Sequence, residues 1–266
     1  MAPNIQFTRR AGRRPLAAFF LVAASLVAVA EPETNSIFAA RAEAEFHRAQ
    51  NQFQSDTNNP AAAWQFARAC FDFNDFVTNN AGRAELANQG IAACRQLLAR
   101  ESNSAPGHYY LAIELGQLAD TKRNLAAYKM VKEMEHEFKT ACDLDEHFDY
   151  AGTARCLGLL YRDAPGWPVS IGSRRKAREW LERAANLAPE YPENQLNLVE
   201  SRLRWRERTE AEREWQTLDA LWPAAQTNFV GEAWERSWAD WTARKNAVEQ
   251  SLAQGPQPVK PPENRR

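Results

Sequence analysis

His136-Glu137 opens a zinc-protease helix motif, in which a second histidine completes the metal pair and the glutamate acts as base. The position that second ligand needs holds Thr140, so the motif fails. Glu133, Glu135 and Glu137 then read as a solvated acidic face. Ser173-Arg174-Arg175-Lys176 matches the S-x-x-K of penicillin-binding enzymes, but neither Ser-Asp-Asn nor Lys-Thr-Gly follows. Ser173 reads instead as the cap of a helix that Arg174 begins. Gly166 and Gly172 lack the Lys-Ser/Thr of a phosphate loop, and no G-x-S-x-G elbow exists. No catalytic set, metal site or cofactor is expected. A hydrolase or lyase hidden in a groove would need perturbed carboxylates or histidines facing it; among the histidines, His108 is the one beside a tyrosine-rich helix.

Binding residues are easier to place than catalytic ones. Ala164-Pro165-Gly166-Trp167-Pro168-Val169-Ser170-Ile171-Gly172-Ser173 is a rigid turn carrying an aromatic. Its prolines fix the shape, so Trp167 is presented to a ligand at little ordering cost; the alternative is that it folds back on its own hairpin. Tyr110, Gln117, Arg155, Tyr161, Arg162 and Glu200 fall on helices that would line a concave surface. Arg155 and Arg162 share a helical face beside Tyr161 and suit a carboxylate. Internal salt bridges are the competing explanation for either arginine.

Helices must position these residues. From 36 to 253 apolar residues recur at spacings of three and four, with no strand-like alternation. Breaks are expected at 57–60, 79–82, 102–107, 145–152, 164–173, 188–192 and 223–228. Ala177-x3-Leu181-x2-Ala184-x4-Pro189 returns 34 residues later as Ala211-x3-Trp215-x2-Leu218-x4-Pro223. A small residue admits the neighbouring helix, a large one fills the gap and proline stops the chain. Leu157-Gly158-x2-Tyr161 supplies the matching first helix. Weaker second helices lie at Ala87/Ile91/Cys94 and Met134/Phe138/Ala141, and Ala42/Phe46/Ala49 opens the stack. The interval between half-repeats is 16 residues from Phe71 to Ala87, 15 from Ala119 to Met134 and 16 from Tyr161 to Ala177, but 9 from Arg202 to Ala211. Such insertions project from one face of a solenoid, often the binding face; longer inner helices without a ligand are the other reading. Trp234, Trp238 and Trp241 form a stripe that closes the last open core.

Arg9, Arg10, Arg13 and Arg14 precede an apolar run, Leu16 to Ala30, that ends on Ala28-Val29-Ala30. This reads as a secretory signal peptide over 1–30, followed by a helical domain over 31–254 and a proline-rich tail over 255–266. An uncleaved anchor is the alternative. The 266 residues carry a formal charge of -1, which cleavage would take to -5, so nucleic acid is not an expected partner. Export permits disulfides. Cys70 and Cys94 are nearly equidistant from the turn at Asn79 to Gly82 and are expected to pair; Cys142 and Cys156 flank the turn near Asp149 in the same way, with free thiols as the alternative.

The second-helix motifs resemble tetratricopeptide repeats. The stretch from His108-Tyr109-Tyr110-Leu111-Ala112 through Leu157-Gly158, Ala164-Pro165-Gly166-Trp167-Pro168 and Pro192-Glu193-Asn194 also resembles the T-component proteins of TRAP transporters. That resemblance implies an exported, oligomerising, non-catalytic accessory to uptake of small acidic or hydrophobic solutes, partnered by a periplasmic solute-binding protein. Two departures stand out: the cut site has no lipid-accepting cysteine, and Ser170-Ile171-Gly172-Ser173 lacks the family's glycine pair and acid. The expected molecule is an all-α, TPR-like solenoid of about four helical hairpins, with a tryptophan-rich capping helix, that binds a protein partner or small solute in its groove. A cell-envelope scaffold using the outer face is the alternative.

Overall fold

The computed structural model describes residues 31–122 and 125–254, excepting the side chains of 31–34 and 125–128. The expected signal peptide and the proline-rich tail lie outside the described residues. Among the described residues ten helices follow one another: α1 (Glu31–Ser55), α2 (Pro60–Asn74), α3 (Asn80–Leu98), α4 (Ala105–Thr121), α5 (Leu125–Leu144), α6 (Phe148–Asp163), α7 (Arg174–Leu187), α8 (Pro192–Arg204), α9 (Arg208–Asn228) and α10 (Glu232–Ala253). No strand is formed among them; a single bridge joins Gly166 to Gly172. The chain is an all-α solenoid: four hairpins, α2/α3 to α8/α9, opened by α1 and closed by α10.

Local chemistry sets the starts. Asn59, Asn79, Ser104 and Ser173 each accept a backbone N–H of the following first turn. Neighbouring hairpins make two layers, with α2, α4, α6, α8 and α10 in successive contact and the odd-numbered helices packed mainly between their chain neighbours. The repeat residues make the seam. Ala177, Leu181, Ala184, Ala211 and Leu218 are fully buried, as are Ala87, Phe138 and Ala141. Gly158 lies against α7 so closely that a Cβ there would stand 2.6 Å from Leu181 Cγ, which explains glycine in the first-helix motif.

The long intervals between half-repeats have two structural origins. In α2/α3 and α4/α5 they lengthen the second helix, which starts about two turns or more before its first motif residue, Ala87 or Met134. In α6/α7 they form the loop from Ala164 to Ser173.

Three expectations need correction. Pro223 does not end a helix; α9 runs through it to Asn228. Pro223 is exposed while Leu218 and Ala225 stay buried, so the lost hydrogen bond faces water and packing holds the helix. The Cys70–Cys94 disulfide is not formed, nor is the second pair: all four cysteines are free and buried. Burial pushes the Cys70 and Cys94 thiols up, so in the folded core both are held as neutral, unreactive thiols. Glu133, Glu135 and Glu137 are not a solvated face. They receive Arg95, Lys139 with Tyr161, and His108, respectively.

Candidate functional site

The helices that line the inner layer carry the predicted binding residues, and most of those residues are consumed by the fold. Tyr110 is fully buried and stacks on Trp64 at 5.7 Å. Gln117 accepts from Arg83 at 3.1 Å. Tyr161 is buried, donates to Glu135 and carries Lys176 4.8 Å above its ring. Arg162 donates to Ser201 at 2.8 Å and to Asp163 at 2.9 Å.

Arg155 sits at the centre of a buried polar network. Its guanidinium donates to the Asp149 carboxylate at 2.7 Å, to the Tyr150 carbonyl at 3.2 Å and to Asn194 at 3.0 Å. Tyr109 donates to the same Asp149 oxygen at 2.8 Å. These bonds brace three consecutive left-handed residues, Asp149, Tyr150 and Ala151, with φ of 54°, 53° and 59°. Non-glycine residues hold that region at a cost, of order 1 kcal/mol or more each, only when their surroundings enforce it. Burial raises the Asp149 carboxyl to about 7 against the opposing pull of Arg155 and Tyr109.

Glu200 is covered by α10. Arg244 donates to both its oxygens, at 2.8 and 3.0 Å, and to Asn197 at 2.8 Å. One face of α10, Trp234, Ser237, Trp241 and Val248, is buried. Trp234 and Trp241 pack on Tyr191 and Phe229, so the tryptophan stripe closes the last core. The N-terminal turns of α10 also reach the start of the solenoid: Arg41 on α1 pairs with Glu232 and Glu235, and Arg236 pairs with Asp75 at the end of α2. Partners 161 and 194 residues apart in the chain carry no periodic signal, and sequence reasoning missed this closure.

Trp167 is the exception among the predicted residues. It is 89% exposed, with Val169 beside it at 58%. The loop beneath is tied by Gly172 N–H to the Pro165 carbonyl at 2.9 Å and Ser173 N–H to the Tyr161 carbonyl at 2.9 Å. His108 is held between Glu137 and the Ser102 carbonyl, at 2.5 and 2.8 Å. Among the described residues no group of His, Cys, Asp and Glu is arranged for a metal ion, and no helix is long and apolar enough to cross a membrane.

Comparison with solved structures decides the fold relationship. A thermophilic TPR protein of Thermus thermophilus superposes with a TM-score of 0.60 at 17% identity, over 82% of this chain and 94% of that one. The fold is TPR-like. MamA aligns over 75% of this chain and 98% of its own at 15% identity, with a TM-score of 0.46. The family described as Regulator of microtubule dynamics protein 1-3 matches residues 35–158. No curated protein matches the chain.

Proposed function

We propose that this chain is an exported, non-enzymatic scaffold that binds a partner protein at the edge carrying the 164–173 loop. The observation that carries this reading is Trp167: a large aromatic, 89% exposed, on a loop whose backbone is hydrogen-bonded into one shape. Exposed, preorganised tryptophans are the residues on which protein interfaces concentrate their energy. The inner face near α8 is the poorer candidate, because α10 already covers it through Arg244 and Glu200.

Export is supported by the basic stretch Arg9–Arg14 and the apolar run that follows. An accessory role in solute uptake, with a periplasmic solute-binding protein as partner, is the finer form of the proposal, and it rests on the motifs shared with T-components. The likeness to regulators of microtubule dynamics ends at Gly158, before the loop.

The test is affinity purification of the tagged protein from its native envelope fraction, as wild type and as Trp167→Ala, followed by mass spectrometry. A stoichiometric protein that is depleted at least tenfold by Trp167→Ala supports the edge. If that protein is a solute-binding protein, the uptake role is supported too. A partner retained undiminished by Trp167→Ala overturns the edge and favours an envelope scaffold using the outer face.

A further inference from the structure

The seam where α10 meets α1 and α2 encloses a cleft of about 170 Å³. Its apolar walls include Phe38, Phe71 and Ala233, and its polar groups include Arg68, Asp72 and Ser237. Around it most charges are already matched. Glu232 has Arg41 at 2.9 Å, Asp75 has Arg236 at 2.5 Å, and Glu45 has Arg48 at 2.8 Å.

Two groups break this pattern. Arg68 has one ion-pair neighbour, Asp72, 3.4 Å from its Nε, and that buried Nε makes no hydrogen bond among the described residues. Ser237 is 1% exposed, and its hydroxyl is also without a partner among them. Buried polar atoms are almost always satisfied, and Arg68 and Ser237 line the same cleft from different helices, so a ligand entering it is placed to supply an acceptor to each. The buried Tyr110 hydroxyl is likewise unsatisfied among the described residues, and it lies within the field of Arg68. The Asp72 contact lacks hydrogen-bond geometry, so that pair leaves the Arg68 Nε donor open.

We propose that this cleft binds a small monocarboxylate with an apolar body. The Arg68 fork and the Ser237 hydroxyl donate to the carboxylate, a charge-assisted arrangement that planar guanidinium favours. Phe38, Phe71 and Ala233 take the apolar portion. The acids nearby disfavour a dianion such as phosphate, and the volume is well below that of drug-sized sites. Because Arg68 belongs to α2 and Ser237 to α10, the ligand ties the two ends of the solenoid together.

Calorimetric titration of the full mature chain with phenylacetate tests this, with phenethylamine and inorganic phosphate as controls. Saturable phenylacetate binding is expected, weakened at least tenfold by Arg68→Met and at least threefold by Ser237→Ala, with neither control binding as tightly. Circular dichroism establishes that the variants are folded, and Ser237→Ala, a single-atom deletion, stands alone if Arg68→Met does not fold. Absence of saturation up to about 10 mM phenylacetate overturns the site. So does equal affinity in wild type and variants, or a preference for phosphate. The Trp167 purification reads a different surface, so either proposal fails without the other.

Discussion

The Arg155 guanidinium and the Asp149 carboxylate meet at 2.7 Å with both side chains shut away from solvent. The pair also holds a left-handed turn, because Arg155 and Asn194 both donate to the Tyr150 carbonyl. Removing Arg155 forces Asp149 to be neutralised or stranded and also takes a donor from the Tyr150 carbonyl and from Asn194. Arg155→Met is therefore expected to cost about 3–5 kcal/mol, measured by urea unfolding. A loss under about 1 kcal/mol would show that the turn stands without it.

The same pair sets a pH dependence. Asp149 is raised to about 7 when folded and titrates near 4 when unfolded. Between those values the folded state holds the extra proton, so this contribution is complete below about pH 4 and fades as pH rises through about 7. Burial raises Glu114, Glu193 and Asp72 in the same sense. Glu135 and Glu207 are lowered by their cationic and hydroxyl partners and give up their contribution in stronger acid. Thermal unfolding should accordingly peak in mild acid, with a higher Tm at pH 5.5 than at pH 7.5. Asp149→Asn should flatten the profile between them, and an unaltered slope in that variant would exclude Asp149 as its source.

How much of this was legible follows from the range of each interaction. Ala177, Leu181 and Ala184 repeat as Ala211, Trp215 and Leu218, and a local period of that kind is readable because each hairpin buries the same positions. The inner-layer positions of Tyr110, Arg155 and Tyr161 were readable for the same reason. Their burial was not, since Arg155 owes it to Asp149 and to Asn194 on the next hairpin. The turn at Asp149–Ala151 contains no glycine to announce it, and Pro223 is outweighed by Leu218 and Ala225. Nothing local marks Arg68 as different from other arginines; only the arrival of Ser237 from the far end of the chain does.

Gly90 and Glu114 make a second coupled pair. Both Glu114 oxygens are buried without a hydrogen-bond partner among the described residues, and a Cβ on Gly90 would stand 2.5 Å from Oε1. An unpaired buried carboxyl is costly at neutral pH, so Glu114→Met should stabilise the protein by about 1–2 kcal/mol. Gly90→Ala should destabilise wild type yet be tolerated beside Glu114→Ala. Chemical denaturation of the four proteins in that cycle should give a coupling of about 1 kcal/mol or more; additive effects would mean the two residues do not share the space.

Arg244 and Arg236 distinguish the two attachments of α10. Arg244 bonds Glu200 and Asn197 and lies 3.8 Å from the buried Glu193. Arg236 makes a partly exposed pair with Asp75. Arg244→Met strands the buried Glu193 and the half-buried Glu200 against α8 and is expected to cost about 1.5–3 kcal/mol. Arg236→Met should cost no more than about 1 kcal/mol, as for other solvent-accessible pairs. Hydrogen exchange resolves where the loss falls. In Arg244→Met the amides of α10 should lose protection along the segment from Trp241 to Val248, whereas in Arg236→Met any loss should stay near Trp234. If the two variants loosen α10 equally, its hold on the solenoid is shared between α2 and α8. If only Arg244→Met does so, α8 is the anchor and the seam at Asp75 is the end that opens.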